Sequence, residues 1–430
     1  MTTEHSSPTV QQGSRLALAF IFITALLDSV GLGIIIPVLP QLIAELRGYH
    51  TITPAAMSEA ARWGGWLAFV FAGMQFLCAP LIGNLSDRFG RRPVLIASLL
   101  ALGLDYLVMG LAPTLAWIFV TRAISGIAGA SYPTIGAYIA DVTPPEKRGV
   151  NFGLIGAAFS LGFIVGPLAG GLLGQFGPRI PFFAAAGLSL ANALFGLFVL
   201  KESLALANRR KFEWQRANPV GALHAMRRFP MILGLIAVII LTRLAHDANP
   251  VIFTYYVMLK FGWNSAMVGY AMMWIGATLA LVYMVLIRVV MPKIGEPASV
   301  YVGLIGGAIS FAGYAFATQG WQMFVWITVF ALFGFAGPAL NGIMSKLVGP
   351  TEQGELQGAL ACVGSLTSVA APIILTQVFA FFTGPRAPVY FPGSAFFVGA
   401  LSLLAAAAVF TRLRTRAPAA PAAAAAEPAE

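Results

Sequence analysis

Long apolar runs separated by short polar breaks dominate this chain. Each run is about 20 residues, the length a helix needs to cross the hydrocarbon core of a bilayer. The runs are continuously apolar rather than alternating, which predicts helices and disfavours a β-barrel. Twelve spans begin near Leu16, Trp63, Pro93, Leu115, Asn151 and Pro181, then near Pro230, Ala266, Ala298, Trp321, Glu355 and Pro392. The longest internal polar stretch, Lys201 to Arg228, divides them into two sets of six. The pattern predicts an all-α membrane protein with twelve transmembrane helices in two six-helix halves, residues 1–200 and 230–416. A cytoplasmic linker, 201–229, joins the halves, and 417–430 reads as a disordered Ala/Pro tail without a function. Two weak matches hint at an internal repeat. Arg62 to Leu67 enters the second span as Phe261 to Ala266 enters the eighth. Arg288 to Pro297 holds the place in the second half that Gly83 to Pro93 holds in the first.

Composition agrees with this reading. Of 430 residues, 58% are hydrophobic and only 10% charged, against about 25% charged in a soluble domain. The net charge of +10 is a topology signal rather than a nucleic-acid footprint. With a cytoplasmic N-terminus, only Arg47, Arg62, Arg179, Lys260 and Arg386 of the 26 Lys and Arg fall outside, and Arg122 and Arg243 lie within spans. This positive-inside bias places both termini in the cytoplasm. The first span is too long for a signal-peptide core and reads as uncleaved. The expected location is a bacterial inner membrane. Cys78 and Cys362 read as small apolar-run residues.

Ionisable groups inside spans carry the chemistry, because each costs about 2.5–3.5 kcal/mol to insert and normally faces a cavity or a partner. They are Asp28, Asp105, Arg122, Arg243, His246 and Asp247, with Asp141 at the cytoplasmic end of the fourth span. Asp28 and Asp105 are the first candidates for proton coupling; the competing reading is a plain ion pair with Arg122. Arg243 and Asp247 are four apart and are expected to pair, with His246 one turn from Arg243. This cluster is a second candidate proton or substrate site, and Asn249-Pro250 is expected to break the helix beside it. Gln75, Asn341 and Gln357 are candidate cavity-lining groups that can equally bond neighbouring helices.

Two further patterns concern movement. Gly83-Asn-Leu-Ser-Asp87-Arg88-Phe-Gly90-Arg91-Arg92-Pro93 forms a tight charged loop in which Asp87 and Arg91 can pair and latch one conformational state. Gly162-x-x-x-Gly166-Pro167-x-x-Gly170 is a small-residue stripe that allows close backbone packing. No Walker loop, metal cluster or nucleophile motif is present, so neither ATP hydrolysis nor membrane enzymology is suggested.

The loop Gly83 to Pro93 resembles the signature between the second and third helices of the major facilitator superfamily. The fifth-span glycine stripe resembles the signature of that family's drug/proton antiporters. Leu27-Asp28-Ser-Val-Gly31-Leu-Gly33 through Pro40, Met74-Gln75, Leu104-Asp105-Tyr106, Arg122-x-x-Ser125-Gly126, Ala140-Asp141 and Gly354-Glu-Leu-Gln357-Gly358 resemble bacterial tetracycline/proton antiporters more narrowly. The resemblance implies alternating access and export of a drug-like substrate against protons. No cofactor is implied beyond a proton gradient, with Mg2+ travelling as part of a tetracycline chelate. It carries proton coupling to Asp28 and Asp105, the loop pair to Asp87 and Arg91, and substrate contact to Gln75 and Arg122. Where the best-known members have an eighth-span histidine and a ninth-span aspartate, this chain has Leu279 and Gly307. The expected partners are a small-molecule drug, protons and lipid, with no nucleic acid and a monomeric carrier. The alternatives are transport of a different metabolite, or a receptor or scaffold that does not transport.

Overall fold

Residues 8–129, 132–212, 230–349 and 352–416 are described by the computed structural model. Among them there is no strand, and twelve helices are long and apolar enough to cross a membrane. The first six are Leu18–Ile35, Pro54–Phe89, Arg91–Leu111, Leu115–Val142, Arg148–Phe176 and Ile180–Val199. The second six are Met231–Phe261, Ser265–Ile294, Glu296–Phe316, Gly320–Lys346, Gln353–Thr383 and Ser394–Leu413. Hydrocarbon offers no partners to a backbone amide, so each span must satisfy its own hydrogen bonds as a helix. The predicted tail and the linker from 213 to 229 lie outside the described residues.

The second span starts at Pro54, nine residues before the hydropathy signal. Thr53 caps it, its hydroxyl accepting from the Ala56 N–H at 3.1 Å, and Ala56, Met57, Ala60 and Ala61 are fully buried. Packing at a small-residue face thus extends the helix past its greasiest part. The corresponding cap of the eighth span is Asn264, accepting from Met267 N–H. The match between 62–67 and 261–266 is therefore out of register: the first lies inside a helix, the second at a helix start. The other repeat hint holds. Gly90 and Gly295 are the single residues between spans two and three and between spans eight and nine, with φ of 106° and 78°. An L side chain is strained there, and one residue can reverse the chain only because it is glycine.

Breaks recur at matched places in the two halves. The first span ends at Ile35 and resumes after a turn as Leu39–Leu46; the seventh is split into Pro230–His246 and Ala248–Phe261. The break falls at Asp247, three residues before Pro250. Pro250 has no N–H for the carbonyl of His246. The tenth is split between Leu332 and Ala336, and a π-helical turn, Val282–Leu286, interrupts the eighth.

The halves meet along two seams, the second span against the eleventh and the fifth against the eighth. Both seams are shut at one end only. Ser58 Oγ donates to Ala380 O at 2.8 Å, and Gln377 Nε2 donates to Arg62 O at 3.3 Å. A Cβ at Gly65 would strike Thr376, and one at Gly171 would strike Ser265 and Gly269 of the eighth span. Toward the end that carries Gly90 and Gly295 the halves part: Cβ atoms at Gly73, Gly153 and Gly156 would meet nothing within 4 Å. The molecule is a wedge, closed at one face and open at the other.

The fifth-span glycines hold the closed part together. Cβ atoms on Gly162, Gly166 or Gly170 would run into backbone of the first span around Leu26, Val30, Gly33 and Ile34. Pro167 sits between Gly33 of the first span and Gly269 of the eighth. Three helices can approach so closely only because side chains are missing. Gly166→Leu is expected to lower the thermal stability of the purified protein by more than the roughly 1–3 kcal/mol of ordinary overpacking, because backbone cannot move aside. Gly156→Leu, in open space on the same helix, is expected to leave the melting temperature unchanged.

Candidate functional site

A cavity of about 160 Å³ lies between the halves, just below the closed seams. Its wall is largely apolar, from Leu32 and Ile36 of the first span, Phe71 of the second and Val251 of the seventh. Thr254, Tyr255, Thr376 and Arg122 add polar groups. A drug-sized ligand needs roughly 300–1,000 Å³. The enclosed part therefore holds one portion of such a ligand, and the rest would lie in the open cleft.

Arg122 is the charged group of this wall. It is 6% exposed, and its guanidinium Nη2 donates to Asp105 Oδ2 at 3.1 Å. The same oxygen accepts from Ser125 Oγ, and Nη2 also meets Met109 Sδ at 2.6 Å. Phe71 lies beneath the guanidinium at 5.6 Å, a cation–π contact. Two polar atoms of the pair have no partner: Asp105 Oδ1 and Arg122 Nε. Removing one member of a buried pair typically costs about 3–5 kcal/mol, because the other charge is left uncompensated. Ser125 was signalled by its position, one helical turn after Arg122.

Asp28 behaves differently. It is half-buried and makes no hydrogen bond or ion pair among the described residues. It shares the cavity-facing side of the first span with Leu32 and Ile35, at helical spacings of four and seven. Tyr106, close enough to feel Asp28, Asp105 and Arg122, packs against Gly31. The expected pairing with Arg122 thus falls to Asp105 alone.

Gln75 does not enter the cavity wall. Its Nε2 donates to Gly129 O at 3.1 Å, where the first helix of the fourth span ends. A Cβ on Gly126 would meet Phe71 and Met74, so the two spans are locked together beside Arg122. Asn341 and Gln357 are exposed. Gln357 lies seven residues from Gly364, on one face of the eleventh span, and Gly364 faces the Arg243 guanidinium.

In the seventh span the expected Arg243–Asp247 ion pair does not form. Arg243 is exposed and turns toward Gly364, whereas Asp247 Oδ2 is buried without a partner. His246 points elsewhere, its ring meeting Phe330 of the tenth span edge-on at 5.2 Å. The three groups thus form no ion pair, although His246 and Asp247 both lie close enough to Arg243 to feel its charge. Tyr283, on the π-helical turn of the eighth span, lies close enough to Arg243 to feel its charge.

The charged segment expected to be a loop is almost all helix. Residues 83–89 end the second span and residues 91–93 start the third, with Gly90 alone between them. Its side chains form a network at the open end. Arg91 Nη1 pairs with Asp87 Oδ1 at 2.6 Å, and Arg91 Nε lies 3.5 Å from Asp141 Oδ2. Arg91 Nη1 also donates to Ser86 Oγ, whose hydroxyl donates to Gly83 O. Arg88 stacks over Phe89 at 5.1 Å. The start of the linker closes over this segment. Glu202 Oε1 accepts from the Arg91 backbone N–H at 2.9 Å, its other oxygen is 3.8 Å from Arg209, and Ser203 Oγ donates to Asp141 at 2.9 Å. Glu202 escaped sequence reasoning. Its signal was available: it is the lone acid between Lys201 and Lys211. Among the described residues, no group of three or more His, Cys, Asp or Glu could hold a metal ion.

Residues 21–372 match the Major Facilitator Superfamily. The class C tetracycline resistance protein of Escherichia coli is 38% identical over 85% of this chain and 90% of its own length. The class B protein of Escherichia coli is 33% identical over 83% of this chain and 87% of its own length. Among solved structures, a bacterial homologue of the human lysosomal transporter Spinster, inward-facing and unoccupied, has a TM-score of 0.77 at 16% identity. That match covers 97% of this chain and 100% of the other. The twelve-helix wedge, the central cavity and these relatives agree: the chain belongs to the major facilitator superfamily and is a multi-pass membrane transporter.

Proposed function

We propose that this transporter exports an amphipathic drug in exchange for protons by alternating access. The first compound to try is tetracycline as its magnesium chelate, the substrate class that the names of the resistance proteins suggest. The observation that carries this reading is the double role of Arg122, which lines the cavity and is bonded to Asp105. A ligand that draws Arg122 toward itself leaves Asp105 short of its counter-charge, and an unpaired carboxylate away from water takes up a proton. A proton arriving first frees Arg122. Occupancy of the cavity and protonation of the acid then bias the same equilibrium, and each ligand shifts it by its differential affinity. Asp28, unpaired and close to Tyr106 beside the Arg122–Asp105 pair, is the second acid in this exchange.

The open end carries the basic loop and linker start, with Arg88, Arg91, Arg92, Arg209 and Arg210. The positive-inside bias makes that end cytoplasmic, so the wedge faces inward, both termini are cytoplasmic and the carrier works as a monomer in a bacterial inner membrane. The loop network around Asp87, Arg91, Asp141 and Glu202 serves as the latch that releases when this end closes.

Expressed in a pump-deficient bacterium, the wild type is expected to raise resistance to at least one compound in a panel that includes tetracyclines. Asp105→Asn and Asp28→Asn, at equal membrane abundance, are expected to abolish it. Ser125→Ala is expected to weaken it by roughly tenfold, the effect of about 1.4 kcal/mol on a transport barrier. Full resistance in Asp105→Asn would remove that acid from the mechanism; no resistance to any compound would overturn drug export.

A further inference from the structure

The seventh span holds an acid that the account so far does not use. Asp247 stands at the helix break, near mid-membrane, with one carboxylate oxygen buried and without a hydrogen bond. Val251 and Thr254, four and seven residues on, line the central cavity, so Asp247 belongs to the same face. Thr254 is 3% exposed and its hydroxyl also lacks a partner. Nearby, the buried Asn249 has an unpartnered Oδ1. Pro250 offers no N–H to the His246 carbonyl.

An ionised carboxylate in such a place needs donors or a counter-charge. The groups that face this region are few. Arg243 lies one turn away on the same span but not within 4 Å of the carboxylate. His246 faces Phe330. Tyr283 of the eighth span stands near Arg243, and Tyr255 lines the cavity beyond. Spans two, ten, eleven and twelve pack on this helix. The second span brings Glu59 and Arg62 toward its closed end, and the membrane-interior segments of the other three contain no charged side chain. Partial exposure of Asp247 gives it a route to the cleft.

We propose that Asp247 is a third proton-binding group of this carrier, located in its second half and exchanging with water in the open cleft. The step is addition of one proton to the carboxylate. In the protonated state Asp247 needs no counter-charge, and Arg243 is free to turn toward Gly364 and the cleft, as seen here. In the ionised state a change of Arg243 rotamer brings the two together, at the i, i+4 spacing that favours pairing. Proton binding at Asp247 would thereby release a cation into the substrate path. This deepens the antiport reading and rests on it for its role in transport, but the site itself can be tested apart from any drug.

The test is infrared difference spectroscopy of the purified full-length protein, acid minus alkaline. The wild type is expected to show a carbonyl stretch from a protonated carboxylic acid that disappears in Asp247→Asn, remains in Asp28→Asn, and returns at a shifted frequency in Asp247→Glu. Each variant is checked for a monodisperse elution profile, and Asp247→Glu keeps the test informative if the amide variant misfolds. Spectra of the wild type and Asp247→Asn that superimpose would overturn the proposal. In proteoliposomes, Asp247→Asn is expected to move fewer protons per drug molecule than the wild type; an unchanged ratio would also overturn it. A wild type that transports no drug yet shows the Asp247 band would defeat the efflux reading and leave this site standing.

Discussion

The contact between Arg122 and Asp105 is the interaction on which the rest turns. A guanidinium and a carboxylate are both costly in a bilayer, and together they are tolerated because each supplies what the other needs. Here Arg122 stands on a cavity wall while its partner Asp105 is buried in the helix bundle. That location makes the pairing conditional. In the proposed exchange, anything that enters the cavity and competes for Arg122 changes the charge state that Asp105 can hold, and the reverse is true of any proton that reaches Asp105. Gln75 and the tight packing at Gly126 hold the backbone of the fourth span against the second, and Phe71 lies beneath the Arg122 guanidinium.

The second constraint is steric. Backbones of spans one, five and eight touch at Gly33, Gly166, Gly171 and Gly269, and the halves close there with almost no side-chain material between them. A closed seam of glycine is thin, so a small rigid rotation opens or shuts it. At the other end the same helices separate, and the charge network of Asp87, Arg91, Asp141 and Glu202 is assembled wholly within the first half and the segment that follows it. The two ends thus use different physics: shape at the seam, and charge at the loop.

Most of the fold was legible in the sequence, because hydrocarbon imposes one solution on any chain that crosses it. Twelve apolar runs could only be helices, and of the two glycines read as reversal points, Gly90 is one and Gly83 lies within the second span. Helix starts were less legible. Pro54–Phe89 begins in a segment whose helicity comes from burial of Ala56, Met57, Ala60 and Ala61 against neighbours, which no hydropathy window sees. The candidate site was legible in its residue types but not in its pairings. Spacing suggested Arg243 with Asp247, yet the side chains diverge, since Arg243 finds open cleft while Asp247 is held at a break. Spacing gave no sign that Glu202 reaches the Arg91 amide, a contact across 111 residues that only the third dimension supplies.

The central claim is that drug and proton compete through one charge network in the cavity. The most direct measurement is proton release on drug binding: magnesium–tetracycline, or whichever compound the resistance panel identifies, is added to purified protein in weakly buffered solution and the pH change is recorded. The account predicts that binding expels protons from the wild type and that Asp28→Asn or Asp105→Asn reduces the yield. Saturable drug binding with no proton release would contradict it.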